Sequence, residues 1–232
     1  NGAATMEPGG AIYIGPGCSP TFVNVQISNS SVFGNSGGAI YIGPDSSPTF
    51  RQVSINNCRA GGPLAPVDPT DPNAAQLLSF GNAGGVYIHA QSTPSFTDCS
   101  FTNCSASGLG GAVYCGPDGL ATFTNCSFTA NDANDRGGAV YHAARAVSKF
   151  EQCRFEDNAT DIQGGAMFYG RQARVDVVDC QFTENVATIS GGAVYVNALS
   201  EGIISRSVLT HNDVNDAGGA IYLTGCRVEI AD

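Results

Sequence analysis

The feature that most constrains this chain is a repeat. The segment Gly-Gly-Ala-(Ile/Val)-Tyr recurs along its length, with the aromatic at Tyr13, Tyr41, Tyr87, Tyr114, Tyr141, Phe168, Tyr195 and Tyr222. The last five intervals are 27 residues and the first is 28; Tyr41 to Tyr87 spans 46, one repeat plus an insertion of 19. The third copy reads Ala83-Gly84-Gly85-Val86-Tyr87, so alignment on the aromatic keeps the register. A fixed period of this length means stacked units, none of which can bury its own apolar face.

Other rows repeat with the same period. Nine residues after each aromatic come Phe22, Phe50, Phe96, Phe123, Phe150, Val177 and Ile204. Three further on lie Val25, Val53, Cys99, Cys126, Cys153, Cys180 and Ser207, followed by Ile27, Ile55, Phe101, Phe128, Phe155, Phe182 and Leu209. A last row holds Ser30, Cys58, Cys104, Asn131, Asn158, Asn185 and Asn212. Each repeat thus reads as three short strands separated by turns. Like residues then stack about 4.8 Å apart, which gives an all-β, single-stranded right-handed parallel β-helix of about eight rungs, roughly 40 Å long. The Phe rows are expected to stack ring on ring, the Asn row to form an amide ladder, and the paired glycines to supply positive φ at a corner. A leucine-rich solenoid lacks support because Leu-x-Leu and helical segments are missing; a β-propeller would need four strands in a longer repeat.

Composition agrees. Charged residues make up 13% of the 232, hydrophobic ones 42%, and there are 30 glycines and a single lysine, Lys149. The net charge of −10 argues against nucleic acid or an anionic membrane surface as partner. No apolar run reaches the 18 residues of a membrane-spanning helix, so no direct membrane insertion is expected. The chain reads as one β-helix domain over 1–232, a mature or trimmed piece of a longer precursor. A Pro-rich insertion over 59–80 carries Pro63, Pro66, Pro69 and Pro72 with Leu64, Leu77 and Leu78, part of which is expected to fold back onto the rod.

The alternation of Gly-Gly-Ala-Ile/Val (Gly37 to Ile40, Gly110 to Val113, Gly137 to Val140, Gly191 to Val194, Gly218 to Ile221) with Phe-x-x-Asn (Phe128 to Asn131, Phe155 to Asn158, Phe182 to Asn185) resembles the repeat of the chlamydial polymorphic outer membrane proteins. That resemblance implies a β-helix, a surface location and an adhesive role. The chain departs from it in showing no translocator barrel and in breaking Phe-x-x-Asn in the early rungs.

Nine cysteines imply an oxidising compartment or buried thiols. Cys99, Cys126, Cys153 and Cys180 share one repeat position and read as a ladder of small buried hydrophobes. Cys58 and Cys104 occupy the Asn row of adjacent rungs and are the best candidate disulfide. Four sequons, at Asn29, Asn103, Asn125 and Asn158, are possible N-glycosylation sites if the source is eukaryotic and secretory.

The aromatic row, Tyr13 to Tyr222 with Phe168 in sixth place, is the candidate binding feature. With Ile/Val inward, alternation puts Tyr outward, where it could stack on sugars or seal a lateral protein contact; the opposite parity buries Tyr and exposes Cys115 and His142. Catalytic signals are poor. Lys149 stands alone, the turn acids Asp132, Asp135, Asp161, Asp213 and Asp216 read first as solvated and second as a weak calcium site, and His89, His142 and His211 fall at three different repeat positions. No cofactor and no catalytic residue is assigned. The leading reading is an extracellular or cell-surface structural and adhesive module that self-associates or contacts other surface proteins or glycans. The alternative is a polysaccharide lyase or glycoside hydrolase, and an ice-binding solenoid is disfavoured because no regular Thr-x-Thr face appears.

Overall fold

The structure, a computed structural model, describes residues 3–4, 8–63, 78–79 and 81–232. Among them there is no helix, and the chain winds into a right-handed solenoid walled by four parallel sheets. The Tyr sheet stacks eight strands, from Ile12–Ile14 through Val113–Cys115 and Val140–His142 to Ile221–Leu223. The first Phe sheet also has eight, from Thr21–Val23 to Arg227–Ala231. The second Phe sheet has seven, from Gln26–Ser28 to Val208–Thr210.

The fourth sheet corrects the expectation of three strands per rung. It consists of eight two-residue strands, such as Ser105–Ala106 and Asp132–Ala133, lying just after the Asn row. Two residues are too few to show alternation, so this wall leaves no periodic signal of its own. The repeat register holds throughout: Tyr87 pairs with Tyr41 and Tyr114, Phe96 with Phe50 and Phe123, and Phe128 with Phe101 and Phe155.

The interior is filled by rows. Phe50, Phe96, Phe123 and Phe150 form one ring stack and Phe101, Phe128, Phe155 and Phe182 another, with successive centroids 4.6 to 4.8 Å apart. The two stacks meet edge to face, as at Phe96–Phe101 and Phe150–Phe155. Offset and T-shaped packing of this kind adds about 0.5–1.5 kcal/mol per pair beyond area burial.

The paired glycines have two separate causes. The first of each pair needs a left-handed backbone, with φ between +67° and +79° from Gly9 to Gly218. Ala83 holds this position at φ +59°, so a methyl group is tolerated there at a strain of about 1–2 kcal/mol. The second glycine is needed for room, because the next rung crosses directly over it. A Cβ on Gly138 would lie 2.1 Å from the Gly165 carbonyl oxygen and 2.3 Å from that of Ala159.

Three corners of each rung follow one rule: a residue at positive φ is followed by a residue whose side chain points back into the rod. At the first corner the left-handed residues are Asn24, Gln52, Asp98, Asn125, Gln152, Asp179 and Arg206, and the Val/Cys row follows. At the second they are Asn29, Asn57, Asn103, Ala130, Asp157, Glu184 and His211, and the Asn row follows. At the third, Asp45, Gln91 and Leu199 precede Ser46, Ser92 and Ser200.

The polar members of these rows share one bond, to a carbonyl about 30 residues back, which Val25, Val53, Ala146 and Ala173 cannot make. Asn131, Asn158 and Asn185 are buried; each Nδ2 donates to the Oδ1 of the next Asn at 2.9 Å and to a Phe carbonyl 30 residues back. Each of these Oδ1 atoms also accepts the main-chain N–H of the preceding rung. Cys126, Cys153 and Cys180 donate to Phe96, Phe123 and Phe150 carbonyls over the same separation. Ser200 does so to Gly170 at 2.8 Å. Cysteine, asparagine and serine are thus alternative answers to one requirement, a side chain that satisfies a turn carbonyl which strand pairing leaves over.

The insertion opens and closes as an antiparallel pair, Gly62 with Ser79 and Pro63 with Leu78. Leu64, Leu77, Pro66, Pro69 and Pro72 lie outside the described residues, as does the expectation that their side chains pack on the rod.

Candidate functional site

The Tyr sheet turns its aromatic row outward. From Tyr41 to Tyr195 the residues on either side of each aromatic are buried, as at Val86 and Ile88 around Tyr87 or Val113 and Cys115 around Tyr114. Seven successive ring contacts join Tyr13 to Tyr222 at 4.7 to 5.4 Å, with planes within 14° of parallel. Exposure is uneven. Tyr13 is 56% exposed, Tyr41, Tyr87, Tyr114 and Tyr141 are half-buried, and Phe168 and Tyr195 are covered. Arg136 lies over the Phe168 ring at 5.5 Å, and its Nε donates to Gln163 at 3.1 Å, forming part of that cover.

This geometry limits what the stripe can do. A ring stacked face to face on both neighbours has no free face left, so sugar stacking is confined to the ends of the row. What points outward is a line of ring edges and phenol hydroxyls. Burial pushes the hydroxyls of Tyr41, Tyr87, Tyr114 and Tyr141 above the ordinary tyrosine range. They therefore stay protonated and can donate hydrogen bonds at any physiological pH.

Two grooves lie away from this row, on other walls. Over the first corner, a groove of about 680 Å³ is lined by Asp98, Asn125, Gln152, Cys153, Arg154 and Asp179. Asn125 Nδ2 donates to Asp98, and Arg206 forms an ion pair with Asp179 at 2.7 Å. On the outer face of the first Phe sheet, a groove of about 690 Å³ gathers Arg174, Asp176, Glu201, Arg227 and Glu229.

The remaining candidates are placed as follows. Asn29, Asn103 and Asn125 stand on exposed left-handed corners. Asn158 does not: it is fully buried and its amide is spent on Phe128 and Asn185, which removes it as a glycan acceptor in the folded rod. Cys58 and Cys104 stack in neighbouring rungs as free thiols. A thiol–thiol hydrogen bond from Cys104 brings Cys58 down to about 7, whereas its partner Cys104 is raised. Asp135 pairs with its neighbour Arg136 at 3.3 Å. Among the described residues no three His, Cys, Asp or Glu side chains converge as metal ligands, so the calcium reading of Asp135, Asp161 and Asp216 gains no support.

Inside the rod lies a polar patch that repeat spacing alone does not reveal. Cys115, His142 and Tyr169 succeed one another at one inward position of the Tyr sheet. His142 is fully buried, its Nδ1 lies 3.2 Å from the Phe168 carbonyl, and its Nε2 has no partner; neither has the Tyr169 hydroxyl. Burial pushes His142 down to about 4 and Cys115 up to about 12. The available signal was the break in the Ile14, Ile42, Ile88 row.

Four in-register parallel sheets, corner ladders and an outward aromatic stripe define a right-handed parallel β-helix repeat protein. The family model described as "Right handed beta helix region" matches residues 6–144 and 78–232, and the chain belongs to that family. No curated protein and no solved structure matches it.

Proposed function

We propose that the chain is an extracellular contact module of a cell-surface protein or filament, which joins a second copy or a protein partner through its aromatic stripe. The observation that carries this reading is the row from Tyr13 to Tyr222, one stacked ladder through every rung that reaches the surface everywhere but at Phe168 and Tyr195. Ring faces are consumed within the row, so the surface offers edges and hydroxyl donors; these suit a protein backbone or another ladder better than a glycan ring. The likeness of its repeats to those of the chlamydial surface proteins supports the same role, as do sequons on exposed corners for a secreted setting. Sedimentation velocity across a concentration series tests it. The native protein should assemble, and a Tyr41→Ser/Tyr87→Ser/Tyr114→Ser variant of unchanged circular dichroism should stay monomeric. Equal behaviour of the two would refute the stripe as the contact surface.

One observation favours a second reading, a polysaccharide-active enzyme: the groove holding Asp176, Glu201 and Glu229 beside Arg174 and Arg227. Carboxylates for proton transfer beside guanidinium groups for uronate binding are what such chemistry requires. A screen on alginate and polygalacturonate, with Glu201→Gln as control, decides between the two.

A further inference from the structure

The thiol row of the first corner offers more than packing. Cys99, Cys126, Cys153 and Cys180 are buried, in register and free. They stack along the corner: the Cys126, Cys153 and Cys180 thiols each donate to a carbonyl 30 residues back, and the Cys153 main-chain N–H donates to Cys180 Sγ at 3.4 Å. Cys153 also lines the groove over this corner, beneath Asp98 and Asp179. The row therefore approaches solvent at Cys153, under a groove whose lining mixes Asp98 and Asp179 with Arg154.

Spacing decides which chemistry suits the row. In-register side chains repeat at the rung distance, about 4.8 Å. A disulfide needs Cβ atoms about 3.5–4.5 Å apart and a sulfur–sulfur bond of about 2.05 Å, so closing one would pull two rungs together. A metal ion between two thiolates, with metal–sulfur bonds of about 2.3 Å each, spans the rung distance with little movement. Zinc would require four ligands in a tetrahedron, and no three such groups converge here. Thiolates select soft ions, and a monovalent d10 ion is content with two ligands in line.

We propose that the Cys126–Cys153 step of this row is a binding site for a soft monovalent metal ion, such as Cu(I), held in line between two thiolates. Binding releases the two thiol protons to solvent and leaves a bis-thiolate of net charge −1; no oxidant or reductant is consumed. Affinity accordingly rises with pH. The site does not depend on the proposed contact role of the Tyr stripe.

The test uses the reduced, folded chain under anaerobic conditions, titrated with Cu(I) against a competing chelator and, separately, with Ag(I) as a redox-inert probe. Native mass spectrometry counts retained ions, and X-ray absorption reports the sulfur neighbours. The Cys126→Val/Cys153→Val variant should fold, because Val25 and Val53 fill this row in the first rungs. The expected result is a chelator-resistant ion with two sulfur neighbours in the native chain and in Cys18→Ser/Cys226→Ser, absent from Cys126→Val/Cys153→Val. Equal retention in both double variants, or binding only with loss of the β circular dichroism signal, would overturn the proposal.

Discussion

At the scale of single residues, the fold places two sharply different demands on neighbouring glycines. Gly137→Ala meets the left-handed penalty that Ala83 already bears together with a single close approach, 2.4 Å from the Val140 carbonyl oxygen, and should cost about 2 kcal/mol in urea unfolding. Gly138→Ala drives a methyl group into two main-chain carbonyls and should cost about 3 kcal/mol or more. The reverse order would mean that the rungs do not cross over the second glycine. His142 gives a second residue-scale test. Its folded value of about 4 lies below the ordinary 6.5, so between those limits the unfolded chain binds a proton that the rod refuses. This contribution is complete above pH ~6.5, falls away as pH drops towards ~4, and totals roughly 3 kcal/mol. His142→Phe should flatten that part of the stability–pH curve relative to the parent; an unchanged curve would show that the imidazole is not buried neutral.

At the scale of elements, the ladders carry the corners. Asn158→Ala leaves the Asn131 N–H, the Phe128 carbonyl and one Asn131 amide hydrogen without their partner. At about 1–3 kcal/mol for each buried orphan, the loss should be about 4 kcal/mol by chemical unfolding; a change under about 1 kcal/mol would mean the ladder is solvated. This is also where the reach of the sequence is clearest. The Tyr, Phe and Asn rows were legible because each is dominated by one residue type at one spacing. The left-handed corners were not, because Gln152, Arg206, Ala130 and His211 share no chemistry, only a backbone angle. The fourth wall escaped notice because its strands are two residues long. The Cys row was correctly read as buried, yet its kinship with the Asn row becomes visible only when both are seen bonding a carbonyl 30 residues behind.

At the scale of the whole molecule, a solenoid has no centre, and its surface features are lines. Spacing left both parities of the Tyr row open; its rings lie on the outer side of the sheet, with Phe168 and Tyr195 covered, and that they consume one another's faces depends on orientation, which spacing does not carry. The charged groove likewise assembles residues from three successive rungs, Arg174 and Asp176, Glu201, then Arg227 and Glu229, which no local motif unites. Both surfaces, and the thiol row beneath the first corner, exist only if every repeat sits in register on the next. The most direct measurement of that register is the nuclear Overhauser spectrum of the Asn side-chain amides. Contacts should link the Nδ2 protons of Asn131 to those of Asn158, and Asn158 to Asn185, with slow solvent exchange for these amides. Rapid exchange and no contact across 27 residues would contradict the stack.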